Sequence, residues 1–218
     1  MTFGTPRKRK VDSERRAEIG RERRARTRAR ILAETFEIYG RETGLHCRVE
    51  EVCAAAGITR QTFYNHFSGM EELREALTYE VGHHFLARVT AVLNTLPVGA
   101  ERLATAVRYY LERGRSDPRW AWSIVNLSAS GIVFGAETYT QARQTVAEGV
   151  EAGIFQLTDD RIGRDLVLGG TLSALFTQLR DTTSPDYPGE VARAILIGLG
   201  CPPDHALTVV NAPLPPLI

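Results

Sequence analysis

The sequence predicts an all-α protein, an N-terminal three-helix bundle carrying a helix-turn-helix and then a larger helical domain. Three observations predict it. Apolar residues recur every three or four positions in one segment after another, and Gly or Pro closes most segments. No two alternating segments are joined by hairpin turn chemistry. A glycine-centred corner at Gly57 joins two short amphipathic stretches, which is how two helices meet in a helix-turn-helix. At 218 residues the chain is long enough for one large domain or two small ones, and 43% apolar with 24% charged residues argues against wholesale disorder. There is no internal repeat.

Charge is unevenly placed. The formal net charge of +1 hides twelve Lys/Arg against four Asp/Glu in the first thirty residues and a net of −7 in the rest. No apolar run approaches the ~20 residues that cross a bilayer, so no membrane partner is expected. The basic start has no apolar stretch behind it, which speaks against a secretory signal. Asp12, Glu14, Glu18 and Glu22 speak against a mitochondrial transit peptide. Three cysteines make no disulfide framework, and a reducing, cytoplasmic setting follows as the expectation.

Residues 1–21 are polar and basic, with Arg7–Lys10 as one block, and read as a mobile arm; a groove-binding arm and a merely solvated tail are both compatible with that. Arg23–Tyr39 reads as an amphipathic helix with Leu32, Phe36 and Tyr39 on its stripe and five arginines crowding its first half. Cations sit poorly at a helix N-terminus, a cost that a phosphate backbone nearby would offset. Arg48–Ala56 follows, with Val49, Val52, Cys53 and Ala56 inward. Gly57 is the residue suited to a left-handed corner, and Thr59 suits the N-cap of a helix over Arg60–Phe67. There Phe63 and Phe67 share the inner face, leaving Arg60, Gln61, Thr62, Tyr64 and His66 outside. Those side-chain types hydrogen-bond base edges and phosphates.

The stretch ILAETFEIYGRETGLHCRVEEVCAAAGITRQTFYNHFSGMEELREAL, Ile31–Leu77, resembles the tetracycline-repressor (TetR) family of bacterial transcription regulators. The segment EEVCAAAGITRQTFYNHF is especially close, and Tyr64–Asn65–His66–Phe67 and Glu71–Glu72–Leu73 match as well. The resemblance implies that Arg60, Gln61 and Thr62 read base edges, that Tyr64 and His66 contact phosphates, and that Thr59 caps the reading helix and touches the backbone. Arg48 stands where the family usually has a Ser or Thr that caps the second helix and holds a phosphate. Arginine can hold the phosphate but cannot cap, so fraying of that end is expected. Met70 stands where a phosphate-contacting Lys is usual.

Beyond the motif, helices are read over Glu71–Thr95, Glu101–Arg115, Pro118–Ala129, Thr138–Gly153, from Thr158 or Asp159 to Thr182, and over Gly189–Leu199. The tail from Cys201 is Pro-rich and reads as irregular. The segments LVLGGTLSALF and VARAILIGLG are apolar on more than one face, and such helices need cover on more than one side. The resemblance implies that they meet their copies in a homodimer, with Leu166, Gly169, Gly170, Ser173, Ala174, Ile195 and Leu199 at the interface. It also implies an effector pocket among the middle helices, for which Phe85, Val89, Tyr109, Trp120, Ile124, Phe134, Tyr139 and Phe176 are the candidates.

Catalytic and metal chemistry find no support. His83 and His84 are adjacent and point about 100° apart on a helix, Cys47 and Cys53 lack zinc-pair spacing, and Gly169–Gly170 follow no strand. No cofactor is expected. The chain therefore divides into a basic arm (1–21), a helix-turn-helix domain (22–69), a helical effector-binding and dimerisation domain (70–200) and a Pro-rich tail (201–218). The expected function is a ligand-responsive regulator, foremost a repressor. As a dimer it would bind palindromic double-stranded operator DNA and be released by a small, largely apolar effector, the helix from Glu71 serving as lever. Two other readings stay open: an all-helical enzyme or small-molecule carrier with an incidental basic N-terminus, and a nonspecific architectural DNA binder.

Overall fold

Helix α1 runs from Pro6 to Tyr39, far longer than the Arg23–Tyr39 span expected. The computed structural model describes residues 6–129, 131 and 133–217, and on that basis the segment assigned to an arm is helical from Pro6 onward. The reason is local: Arg, Lys, Glu and Ala are strong helix formers, Pro6 suits a first turn, and Gly20 costs only ~1 kcal/mol without ending the helix. Glu14 to Arg26 are exposed, whereas Ile31 and Tyr39 are fully buried.

A single 3-10 turn at Gly44–His46 leads to α2 (Val49–Ala56) and α3 (Arg60–Tyr64). The α3 helix stops three residues short of the expected Phe67, although the Phe67 amide still reaches the Phe63 carbonyl at 3.0 Å. Helix α4 (Met70–Leu93) then crosses the molecule. The first core gathers Ile31, Tyr39, Val52, Cys53, Ala56, Phe63, Phe67, Leu73 and Leu77, so the start of α4 belongs to it. Leu127 enters this core from the second half of the chain, and the neighbouring Asn126 Nδ2 donates to the Tyr39 and Arg41 carbonyls at 2.8 Å each.

The second core is built from α5 (Ala100–Ser116), α6 (Pro118–Ser128), α7 (Ala136–Glu151), α8 (Asp160–Arg180) and α9 (Tyr187–Gly198). Leu103, Val107 and Leu111 on α5 meet Val146, Val167, Leu168, Leu175, Leu196 and Leu199. Helix starts follow capping chemistry. Asp117 Oδ1 accepts the Trp120 amide at 3.1 Å, and Asp159, rather than Thr158, caps α8 by accepting the Arg161 amide at 2.9 Å.

The tail departs from its expected irregularity. Pro203–Asn211 form α10, with Pro203 in the first turn and Ala206, Val209 and Val210 buried. Residues 212–217 then lie as a strap over α4 and α5. Pro213, Pro215 and Pro216 have no N–H, so the strap is bound mainly through its carbonyls. Arg108 Nη1 donates to Ala212 O at 2.9 Å, Tyr109 Oη to Pro215 O at 2.7 Å and Arg88 Nη2 to Leu217 O at 2.9 Å. Leu214 and Leu217 pack on Val89, Val92 and Leu93.

Candidate nucleic-acid interface and interior cavity

The corner between α2 and α3 depends on Gly57, whose φ of 60° and ψ of 43° lie in the left-handed region. The Gly57 and Ile58 amides reach back to the Ala54 and Cys53 carbonyls at 3.3 and 3.0 Å and close α2. Thr59 Oγ1 then accepts the Thr62 amide at 3.1 Å and opens α3. At the start of α2 no side-chain cap comes from Arg48, as expected of arginine, while Glu51, one turn on, accepts the Arg48 amide at 2.9 Å, the reciprocal half of a capping box.

Phe63 and Phe67 anchor α3 from below, 0% and 1% exposed with ring centroids 5.9 Å apart. Arg60, Gln61, Tyr64 and Asn65 are exposed, and Thr62 and His66 half-buried. All seven DNA-facing candidates, Arg48 and Thr59 included, lie on α2, α3 or the residues flanking them. Met70 opens α4.

Helix α1 runs past this face. Arg24 Nη2 donates to the Asn65 carbonyl at 2.8 Å, and the Arg28 guanidinium stacks 4.3 Å from the Phe67 ring centre. Arg23, Arg24, Thr27, Thr62, Asn65 and His66 line one groove. Burial, and then the Arg24 and Arg28 charges, hold the His66 pKa below its ordinary value. Sequence reasoning linked the α1 arginines to phosphate but missed that two of them brace α3.

Farther along, a small cavity of about 50 Å³ lies among α4, α5, α7 and α8. Leu86, Val89, Leu93, Leu103, Val107, Val167 and Leu168 give it apolar walls. Tyr110, Thr138, Gln141, Thr145 and Thr171 line it as well, almost wholly through their apolar atoms; the Thr145 and Thr171 hydroxyls donate to the Gln141 and Val167 carbonyls at 3.0 and 2.7 Å. The Tyr110 hydroxyl lies 3.1 Å from Thr138 Oγ1, and burial pushes its pKa up to about 12, so it is neutral.

Of the eight pocket candidates, Val89 and Phe134 line this cavity. Phe85 and Trp120 sit behind it, Phe85 edge-on to Tyr110 at 5.0 Å. Ile124 is core, Tyr139 lies 4.2 Å under the Arg164 guanidinium, and Tyr109 faces the strap. Phe176 is on the outer surface against Trp122. Weighting aromatics missed the polar residues, although Thr138, Gln141 and Thr145 mark the inner face of α7 by their three- and four-residue spacing.

The outer face of α8 and α9 exposes Ile162, Leu166, Phe176 and Ile197, the first of them 58%. Gly169 and Ser173 lie on the same exposed side and Gly170 is half-buried. Ala174, Ile195 and Leu199 do not belong to it: they are 3%, 5% and 0% exposed, because their side of each helix is covered by this chain's own core. Among the described residues no group of three or more His, Cys, Asp or Glu is placed to hold a metal, and no helix is long and apolar enough to cross a membrane.

A helix-turn-helix with an exposed polar reading face, joined through α4 to a cavity-bearing helical domain, defines the class of one-chain ligand-binding transcription regulators. Residues 31–77 match the family model described as bacterial regulatory proteins of the tetR family. Residues 99–212, more than half of the chain, match the tetracyclin repressor-like C-terminal domain. The chain belongs to the TetR family. Among solved structures it resembles RolR in complex with resorcinol, at 23% identity and a TM-score of 0.74 over 90% of this chain and 99% of that one. RolR without ligand matches at 22% and 0.71, over 87% and 100%. The fatty acid degradation regulator FadR of Bacillus halodurans matches at 19% and 0.60, over 78% and 98%. No curated protein matches the chain in sequence. Regulators of this family are non-enzymatic, typically ligand-responsive repressors, and they bind DNA and small molecules and act as dimers.

Proposed function

We propose that this chain is a cytoplasmic repressor that binds a palindromic operator as a homodimer and is released by a small, largely apolar effector. The observation that carries this reading is the α3 face, where two buried phenylalanines leave Arg60, Gln61 and Tyr64 turned to solvent. Arg60, Gln61 and Thr62 read base edges in the major groove. Arg48, Thr59, Tyr64 and His66 hold phosphates, and the arginines of α1 add backbone charge. The exposed stripe of Ile162, Leu166 and Phe176 on α8, with Ile197 on α9, meets its copy across a two-fold axis. The two α3 helices then enter grooves about one helical turn apart, ~34–36 Å.

The cavity takes the effector once its lining side chains move apart to admit a ring. Its walls, apolar almost throughout, suit an aromatic or aliphatic body, and a polar substituent would have to draw one hydroxyl of the Tyr110–Thr138 pair inward. The likeness to RolR, solved with resorcinol, supports a small phenol as the first compound to try. The test is an unbiased selection of bound duplexes by the purified protein, followed by Arg60→Ala and Gln61→Ala. A recovered palindrome, with ~1–3 kcal/mol lost at particular base pairs in the variants, is the expected result. Unchanged binding of both variants to every duplex would overturn the assignment of α3.

A further inference from the structure

The α2–α3 face turns a carboxylate toward the place where the duplex would lie. Glu50 is in the first turn of α2, exposed, two residues from Arg48 and paired with Arg60. A carboxylate facing a polyanion weakens binding unless it does something else. Two of its acidic neighbours have evident duties: Glu51 caps α2, and Glu72 accepts the Ser68 amide at 2.7 Å. The Glu50 carboxylate instead lies 3.0 Å from Arg60 Nη1, with both side chains more than half exposed. Tyr64, one turn farther along α3, and Glu50 both favour the charged form of this guanidinium.

We propose that Glu50 is a positioning residue for base recognition: its carboxylate keeps the Arg60 guanidinium off the phosphates and presents it to a guanine edge. The proposal rests on reading α3 as the DNA-reading helix. A guanidinium has five N–H donors, and bidentate contact with guanine O6 and N7 uses two. Arg60 can therefore stay bonded to Glu50 while it reads guanine. If it swings to a phosphate, it leaves Glu50 unpaired beside the DNA backbone, and the like-charge contact penalises that state. The carboxylate thus disfavours nonspecific duplexes while sparing the specific one, which is discrimination through a repulsive element. It also holds a long side chain in place before binding, so less freedom is lost on contact.

The experiment uses the full chain and competition titrations at several salt concentrations, with the selected duplex, single-base variants of it and a random duplex. Wild type is compared with Glu50→Gln, Glu50→Asp, Arg60→Ala and the double variant Glu50→Gln/Arg60→Ala. Glu50→Gln is expected to bind the random duplex more tightly and to steepen its salt slope by about one, as Arg60 gains a phosphate. Preference for guanine at one position should fall about fivefold or more. Glu50→Asp should keep most of that preference. In the Arg60→Ala background Glu50→Gln should change no base preference. Retained guanine preference in Glu50→Gln would overturn the proposal. So would a loss of melting temperature without any change in preference, which marks a helix-dipole role only. A changed base preference in the absence of Arg60 would also overturn it, since Glu50 would then be a base reader itself. If wild-type selection yields no shared sequence, the reading of α3 fails, and this inference with it.

Discussion

Gly57 offers a clean test of the helix corner, because only one kind of cost arises there. A Cβ built at Gly57 meets nothing within 4 Å, so Gly57→Ala introduces no clash. What remains is the left-handed backbone at φ +60°, which an L-residue enters at a cost of ~1–2 kcal/mol. Alanine also stiffens the unfolded chain, which returns ~0.4–1 kcal/mol. The net loss is about 1 kcal/mol, a fall in Tm of ~2–4 °C for a chain of this size. Asparagine tolerates the left-handed region better, so Gly57→Asn should lose less and Gly57→Val more. Urea unfolding at fixed protein concentration gives the ranking. Gly149→Ala is the contrast: its Cβ would lie 2.3 Å from the Phe155 ring, so that loss comes from overpacking and not from backbone strain. Gly57→Ala as stable as wild type, or worse by more than ~3 kcal/mol, would refute the argument.

Three further outcomes follow from contacts at either end of the molecule. Thr59→Ala removes the oxygen that accepts the Thr62 amide and should cost ~1 kcal/mol in denaturant unfolding, with operator affinity falling because α3 is only five residues long. His66 has its folded pKa below the ordinary 6.5, so the unfolded chain takes up its proton first and this group's stabilising share, full above pH 6.5, is lost as pH falls. A phosphate beside His66 pulls the other way, so operator affinity should rise on acidification in wild type and not in His66→Gln, as fluorescence anisotropy across pH would report. Tyr109→Phe removes the 2.7 Å bond to Pro215 and should cost ~0.5–1.5 kcal/mol, with faster amide exchange in the second half of α4 and none added around α3.

Much of the reading face was legible because its signals are local. Glycine at a corner, threonine at a cap and phenylalanines four apart each constrain a few neighbouring residues, and the structure places Gly57, Thr59, Phe63 and Phe67 accordingly. The arm and the tail were misread for the same reason in reverse. Residues 6–22 have no apolar stripe, yet propensity alone continues α1 through them. The tail's prolines suggested irregularity, but Pro203 opens a helix and the later three lie in a strap whose anchors, Arg88, Arg108 and Tyr109, are more than a hundred residues away in sequence. The cavity was the least legible part. Periodicity marks which residues are inside without marking which line empty space, and so Ile124 and Trp120 read the same as Val89. Two greasy helices likewise could not be divided by sequence into the side facing their own core, with Ala174, Ile195 and Leu199, and the side turned outward.

Helix α4 has a foot in each core, and that arrangement sets what an effector can accomplish in the proposed function. Leu73 and Leu77 pack with Phe63 and Phe67, while Leu86, Val89 and Leu93 wall the cavity. Between them Val81 touches both cores, and the Trp120 indole N–H donates to its carbonyl at 3.4 Å. From Val81 to Leu93 the helix rises ~18 Å, so a 5° tilt about Val81 moves Leu93 by ~1.6 Å and Leu73 by ~1 Å the other way. The work available is bounded: an effector that weakens operator binding a hundredfold must itself bind the DNA-free arrangement about a hundredfold tighter. Reciprocity then requires saturating operator duplex to weaken effector binding by the same factor. Calorimetric titration of a phenol that releases the duplex, done with and without DNA, measures both factors. The same coupling factor in Val81→Ala, which removes the side chain that touches both cores, would cost α4 its role as the lever.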